Sequence, residues 1–122
     1  MDQKLLCNII KIFFQHQLEI KMYHFQTKLY GAHKASDMYH GGFLEKMDKF
    51  LEAAQGIAGQ TKLQTVDLKF KTLDDKTVFE ALDQFIAFLS KLDDMIINKD
   101  LLAIRDEMIA DANQFKYLLL FK

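Results

Sequence analysis

The sequence has no proline and no tryptophan, a single cysteine and five glycines among 122 residues. Without proline nothing forces a helix to break, and with so few glycines helices can run for long stretches. One cysteine excludes a disulfide framework, and the setting of Cys7 among Leu5, Leu6, Ile9 and Ile10 predicts a buried small apolar residue. Neither sign of charge dominates, since 16 Lys and Arg face 17 Asp and Glu for a formal net charge of −1. Met1 to Lys11 holds two lysines and no basic arm, so DNA binding is not indicated. No apolar run approaches the roughly 18 to 20 residues of a membrane span, and a signal-peptide cleavage pattern is missing. The expected location is the cytoplasm, or the inside of a particle that packages the protein.

What is present is apolar residue at helical spacing, half of the chain by composition. The length suits one domain, 1–122, with its own core. A first helix is expected from about Leu5 to Tyr30, with Leu6, Ile9, Ile10, Phe13 and Ile20 on one side and Phe14, Leu18, Met22 and Phe25 on a second, stopped by Gly31. A second runs from about Ala32 or Ser36 to Gly59, with Phe43, Leu44, Met47, Phe50, Leu51 and Ala54 inward.

From Gln60 to about Asp75 the helical period lapses, and Val66, Leu68 and Phe70 alternate with Asp67, Lys69 and Lys71 as in an extended strip. An extended stretch of about fifteen residues reaches about 50 Å, more than the about 36 Å of a helix of about 24 residues. The connector can therefore run the length of a bundle. Helix three starts near Asp74 and Asp75 or at the capping-box pattern Thr77…Glu80 and ends near Asn98. Asp100 is placed to cap helix four, which carries Leu101, Ile104, Met108, Ala112, Phe115 and Leu119 inward. Short turn, long crossover and short turn predict an all-α, ferritin-like four-helix bundle with the crossover between helices two and three.

Chemistry is suggested by the polar residues of the first two helices. His24 continues the line of Leu6, Phe13 and Ile20, so it is either a hydrogen-bonded core histidine or a ligand. Asp48 and Glu52 are an i, i+4 pair whose like charges repel unless a cation sits between them; otherwise they edge a solvated face with Glu45 and Lys49. His33 and Asp37 form a second couple. Asp37 and Asp48 share a helix face but stand about 16 Å apart along the axis, so they cannot ligate one metal within a chain. If two copies pack their second helices antiparallel about a two-fold, the His33 and Asp37 end of one approaches the Asp48 and Glu52 end of the other. Gly41 and Gly42 between the couples either admit a partner backbone or break the helix. Glu107 and Asp111 are weaker candidates, because Arg105 and Lys116 nearby suggest a salt-bridged face. His16 and His40 have no carboxylate at obvious spacing.

The series His24, His33-x3-Asp37-x10-Asp48-x3-Glu52 resembles the intersubunit ferroxidase motif of the Dps proteins, the small dodecameric branch of the ferritin-like fold. The string YHFQTKLYGAHKASD is similar to short Dps-like proteins of phages and large DNA viruses. The resemblance is specific over about residues 23 to 56. It implies a homo-oligomeric shell built of two-fold dimer units, twelve chains in the family, that binds iron(II), oxidises it with peroxide or oxygen and stores it. His24, His33 and Asp37 would come from one chain and Asp48 and Glu52 from its neighbour. The sequence departs from the family in the short interval between His24 and His33, in Phe25 where a tryptophan is usual, and in a crossover without room for the usual short helix. It also lacks a basic tail, which argues against DNA coating. The alternative expectation is a non-catalytic helical assembly protein, for example within a virus particle, that keeps the bundle without the chemistry.

Overall fold

The structure is a computed structural model that describes residues 1–121. Four α-helices and one short 3-10 turn make up its regular structure, with no strand among the described residues: α1 (Gln3–Gln26), α2 (Tyr30–Ala58), α3 (Thr77–Lys91), the turn Leu92–Asp94, and α4 (Lys99–Leu118).

Local chemistry fixes the helix ends. Asp2 caps α1 by accepting the N–H of Leu5 at 2.7 Å. The helix stops at Thr27, four residues before Gly31, because Thr27 leaves helical geometry and its hydroxyl takes up other bonds: it accepts from Leu29 N–H at 3.2 Å and donates to Asp75 at 2.7 Å. Gly31 is therefore not the expected stop. It lies in the first turn of α2, where a Cβ would come within 3.4 Å of the Phe121 carbonyl oxygen. Helix α2 runs unbroken to Gly59, whose φ of +89° ends it as expected of a glycine C-cap.

Asp74 starts α3. Its carboxylate accepts the N–H groups of Lys76 at 2.9 Å and Thr77 at 2.7 Å, while its own N–H donates to Thr77 Oγ1 at 2.9 Å. The box thus begins at the acid, and Thr77…Glu80 does not supply it. Helix α3 ends at Lys91, short of the Asn98 boundary, by tightening into the 3-10 turn. Asn98 takes the N-cap position of α4, which leaves Asp100 in the first turn near the positive helix end instead of at the cap.

Helix α1 packs on α2 and α3, and α4 packs on α2 and α3. At one end, Gln3 Nε2 donates to the Ala58 carbonyl at 3.1 Å. At the other, Tyr23 donates its hydroxyl to Asp75 at 2.8 Å, just ahead of α3, and Gly31 meets Phe121 beyond α4. Residues 59–76 have no regular structure. Val66 and Asp67 lie beside Leu5 and Lys11 of α1, and the Lys71 N–H points at Glu19.

Phe13 organises the core: the rings of Phe43, Phe50, Phe85 and Phe88 meet it edge-on, centroids 5.3 to 6.5 Å away. Leu6, Leu82, Leu101 and Phe115 complete the buried layer. The buried guanidinium of Arg105 ties α4 to the end of α3 through the Leu89 carbonyl at 2.8 Å and Asp93 at 2.6 Å, with Asp106 at 2.8 Å.

Two expectations for α1 fail within the chain. Cys7 is exposed, because it lies on the outer side of the helix and away from Leu6, Ile9 and Ile10. The helix is also buried on one side only: of the second stripe, Phe14 is 37% and Phe25 70% exposed, and Leu18 and Met22 are half-buried. No helix among the described residues is long and apolar enough to cross a membrane.

Candidate metal centre

The tight turn at residues 27–29 brings the last turn of α1 against the first turn of α2, and with them His24 and His33. Their rings stack, centroids 4.0 Å apart and planes 16° from parallel. His24 Nδ1 lies 2.8 Å from the His33 carbonyl oxygen, and His33 Nδ1 lies 2.9 Å from the His24 carbonyl oxygen. A carbonyl can only accept, so each Nδ1 carries a proton, and in the corresponding neutral tautomer the lone pair is on Nε2. Ser36 steadies the pair, its hydroxyl donating to the His33 carbonyl at 3.0 Å and lying 3.1 Å from His24 Nδ1. A ring nitrogen held by a carbonyl, with the other left free, is how ligating histidines are usually oriented. His24 is 8% exposed. Its Nε2 has no bond to the described residues yet is not sealed in, since Thr61 Oγ1 is the one buried side-chain polar atom among them without a partner.

Asp37 lies one turn beyond His33, exposed on the outer face of α2. Asp48 and Glu52 are exposed on the same face about 16 Å further along, and none of the three acids is in an ion pair among the described residues. Within one chain the fold therefore joins His24 to His33, keeps Asp37 nearby and holds Asp48 and Glu52 apart. Among the described residues no three His, Cys, Asp or Glu side chains are grouped to hold a metal ion. Gly41 and Gly42 sit inside unbroken helix, so they mark no break, and a Cβ built at either would meet nothing within 4 Å. Nothing inside the chain calls for glycine there.

The model of a family described as of unknown function, DUF5856, matches residues 24–119. The chain belongs to that family. The match begins at His24, takes in all five candidate ligands and omits most of α1. No curated protein and no solved structure matches the chain.

Most other functional-looking groups in the matched helices are spoken for. Of the weaker pair, Asp111 is salt-bridged to Lys46 across α2 and α4, while Glu107 is exposed and in no ion pair among the described residues; Lys116 pairs with Asp83 of α3 at 2.5 Å. His40 Nε2 lies 2.9 Å from Gln17 Oε1; burial, and then the charge of Lys21, lowers its pKa.

Of three buried polar groups, sequence reasoning set one, His16, aside for want of a carboxylate and passed over the other two, Tyr39 and Glu19. His16 Nε2 lies 2.7 Å from the Tyr39 hydroxyl, and its ring stacks on Phe85 at 3.7 Å. Burial, with His40 nearby, pushes the His16 pKa down to about 3, so it is neutral, and burial raises that of Tyr39. Glu19, 8% exposed, is the third. Its signal was its place beside Ile20, one turn before Tyr23, on the inward side of α1.

Proposed function

We propose that the chain is a Dps-like, iron-binding protein that assembles through α2 about a two-fold axis and oxidises iron(II) at sites shared between copies. His24, His33 and Asp37 of one copy face Asp48 and Glu52 of the other. The observation that carries this is the layout of α2: the axis that sets Asp37 against Asp48 also sets His33 against Glu52, and it passes between Gly42 and Phe43, beside the bare Gly41. One rotation thus serves both couples and allows two helix backbones to approach closely.

The outer surface of the α1–α2 hairpin supports the same assembly. Phe14, Leu18, Met22 and Phe25 form an apolar stripe that the chain leaves uncovered, and a second copy would bury it. The donor set suits iron: imidazole Nε2 lone pairs already oriented by carbonyls, with carboxylates to balance charge. The protein's part is to hold these donors and to bring them together only in the assembly.

The ferritin-like topology belongs to this proposal. Its support is that residues 59–76 leave α2 at the end where Gln3 binds Ala58 and rejoin α3 at the end where Tyr23 binds Asp75. Such a connector runs alongside α1 from one end of the bundle to the other, the one-crossover arrangement.

Anaerobic iron(II) titration of metal-free protein, followed by peroxide, tests the reading. Saturable binding and iron(III) formation faster than in a protein-free control are expected, and Asp48→Asn with Glu52→Gln should abolish both. Unchanged stoichiometry in that double variant would overturn the shared site. The second reading, a helical assembly protein without chemistry, rests on the exposed Phe25 and the partly exposed stripe beside it, which an interface would cover whether or not a metal is held. It predicts a stable oligomer whose melting temperature iron(II) leaves in place.

A further inference from the structure

A cavity of about 320 Å³ opens between α1, the end of the connector and α3, away from the proposed iron site. Ile12, Leu73, Phe85 and Phe88 give it apolar lining, and His16 and Glu19 are among the polar groups set between them. That volume is within the range of small-molecule sites, and the combination of apolar walls and a few convergent polar groups is typical of them.

Glu19 is the unusual member. It is more than nine-tenths buried, yet none of the four ion pairs among the described residues includes it. One carboxylate oxygen, Oε1, receives both bonds that reach it, from Gln15 Nε2 at 3.2 Å and Lys71 N–H at 3.5 Å. Oε2 has no partner among the described residues. It is not sealed in protein either, because Thr61 Oγ1 is the one such orphan among the described residues, and the cavity is an opening that Glu19 lines. A buried carboxylate without a counter-charge is destabilising, and a cation bound beside it relieves that.

We propose that this cavity binds a small organic ammonium compound, Oε2 of Glu19 receiving the ammonium N–H while Phe85, Phe88, Ile12 and Leu73 enclose an apolar body. Two carboxylates, Glu19 and Glu80, against one ammonium group, Lys71, select a cation over an anion. His16 does not compete as a second cation, since it stays neutral between Tyr39 and Phe85. A metal ion fits less well, for among the described residues no three His, Cys, Asp or Glu side chains are grouped to hold one, and much of the lining is apolar.

The probe is phenethylamine, titrated into uniformly ¹⁵N-labelled protein, with phenethyl alcohol and phenylacetate as neutral and anionic companions of similar body and magnesium chloride as an inorganic cation. Saturable amide shifts at Gln15, Glu19, Lys71 and Ala81 are expected with the amine, at least tenfold weaker with the alcohol and none with phenylacetate. Glu19→Gln should weaken amine binding about tenfold. Ala81→Leu, which fills the cavity and leaves the carboxylate, should abolish it, so the proposal is testable even if Glu19→Gln misfolds. No saturation by the amine, equal binding of phenylacetate, or the same shifts from magnesium would each overturn it. Iron binding by the same samples is expected to be unchanged.

Discussion

The rings of His24 and His33 lie face to face, centroids 4.0 Å apart, and each donates its Nδ1 proton to the other's main-chain carbonyl. This reciprocal pair clasps the end of α1 to the start of α2, so it has a structural effect separable from any bound metal. His24→Ala should destabilise the fold by about 2 kcal/mol, through lost burial and a lost hydrogen bond, although the His33 carbonyl keeps the Ser36 hydroxyl. His33→Ala, at a half-buried position, should cost about 1 kcal/mol. Urea denaturation of metal-free protein measures both, and equal, negligible losses would refute the clasp.

His16 gives the fold a pH dependence. The unfolded chain takes up its proton near the ordinary value of 6.5, whereas the folded chain resists until about 3. Protonation therefore favours the unfolded state: this contribution is complete above about pH 6.5 and is lost as the pH falls toward 3, at about 1.4 kcal/mol per unit. His40, also shifted down, acts in the same sense. Denaturation at pH 7, 6 and 5 should show wild-type stability falling more steeply than that of His16→Gln; parallel slopes would contradict it.

Gly41 separates the demands of the monomer from those of the assembly. A Cβ there meets only open space, so Gly41→Ala should raise the stability of the chain by about 0.5 to 1 kcal/mol through helix propensity. Gly41→Trp should keep the helical circular dichroism yet lower the mass seen by light scattering. An unchanged mass would place the interface elsewhere.

Arg105 is a structural cation. Its loss in Arg105→Ala leaves the Leu89 carbonyl with only the Leu92 N–H and removes packing where α3 meets α4, an expected cost of about 2 to 3 kcal/mol. Asp93, exposed on its far side, should matter less, with Asp93→Asn costing under about 1 kcal/mol. Thermal melts of the two variants test the order.

Four helices, and the lapse of helical structure after Gly59, were legible because the apolar period of each helix is long and breaks off there. Where reading failed at the end of α1, a competing local bond had won, for Thr27 ended the helix before Gly31 could; of the two starts offered for α3, the one at the acids is the one that forms, with Asp74 as its cap. The second apolar stripe of α1 was read as core because periodicity reports a wish to be covered without saying by what. Of the candidate site, the burial of His24 followed from its phase on α1. Its exchange of bonds with His33 did not, since that depends on how tightly residues 27–29 turn.

Between their ends, at Gly59 on Gln3 and Asp75 on Tyr23 and Thr27, residues 59–76 are held to the bundle by few bonds, among them Thr61 N–H on Gln55 and Lys71 N–H on Glu19, and by the buried Leu73. They act as a tether between two helical hairpins, α1–α2 and α3–α4, each of which carries its own short turn. A tether of that length restrains the hairpins to the same neighbourhood without dictating which copy each one embraces, so chains refolded at high concentration can trade halves, and one cut between Lys62 and Phe70 can still hold together.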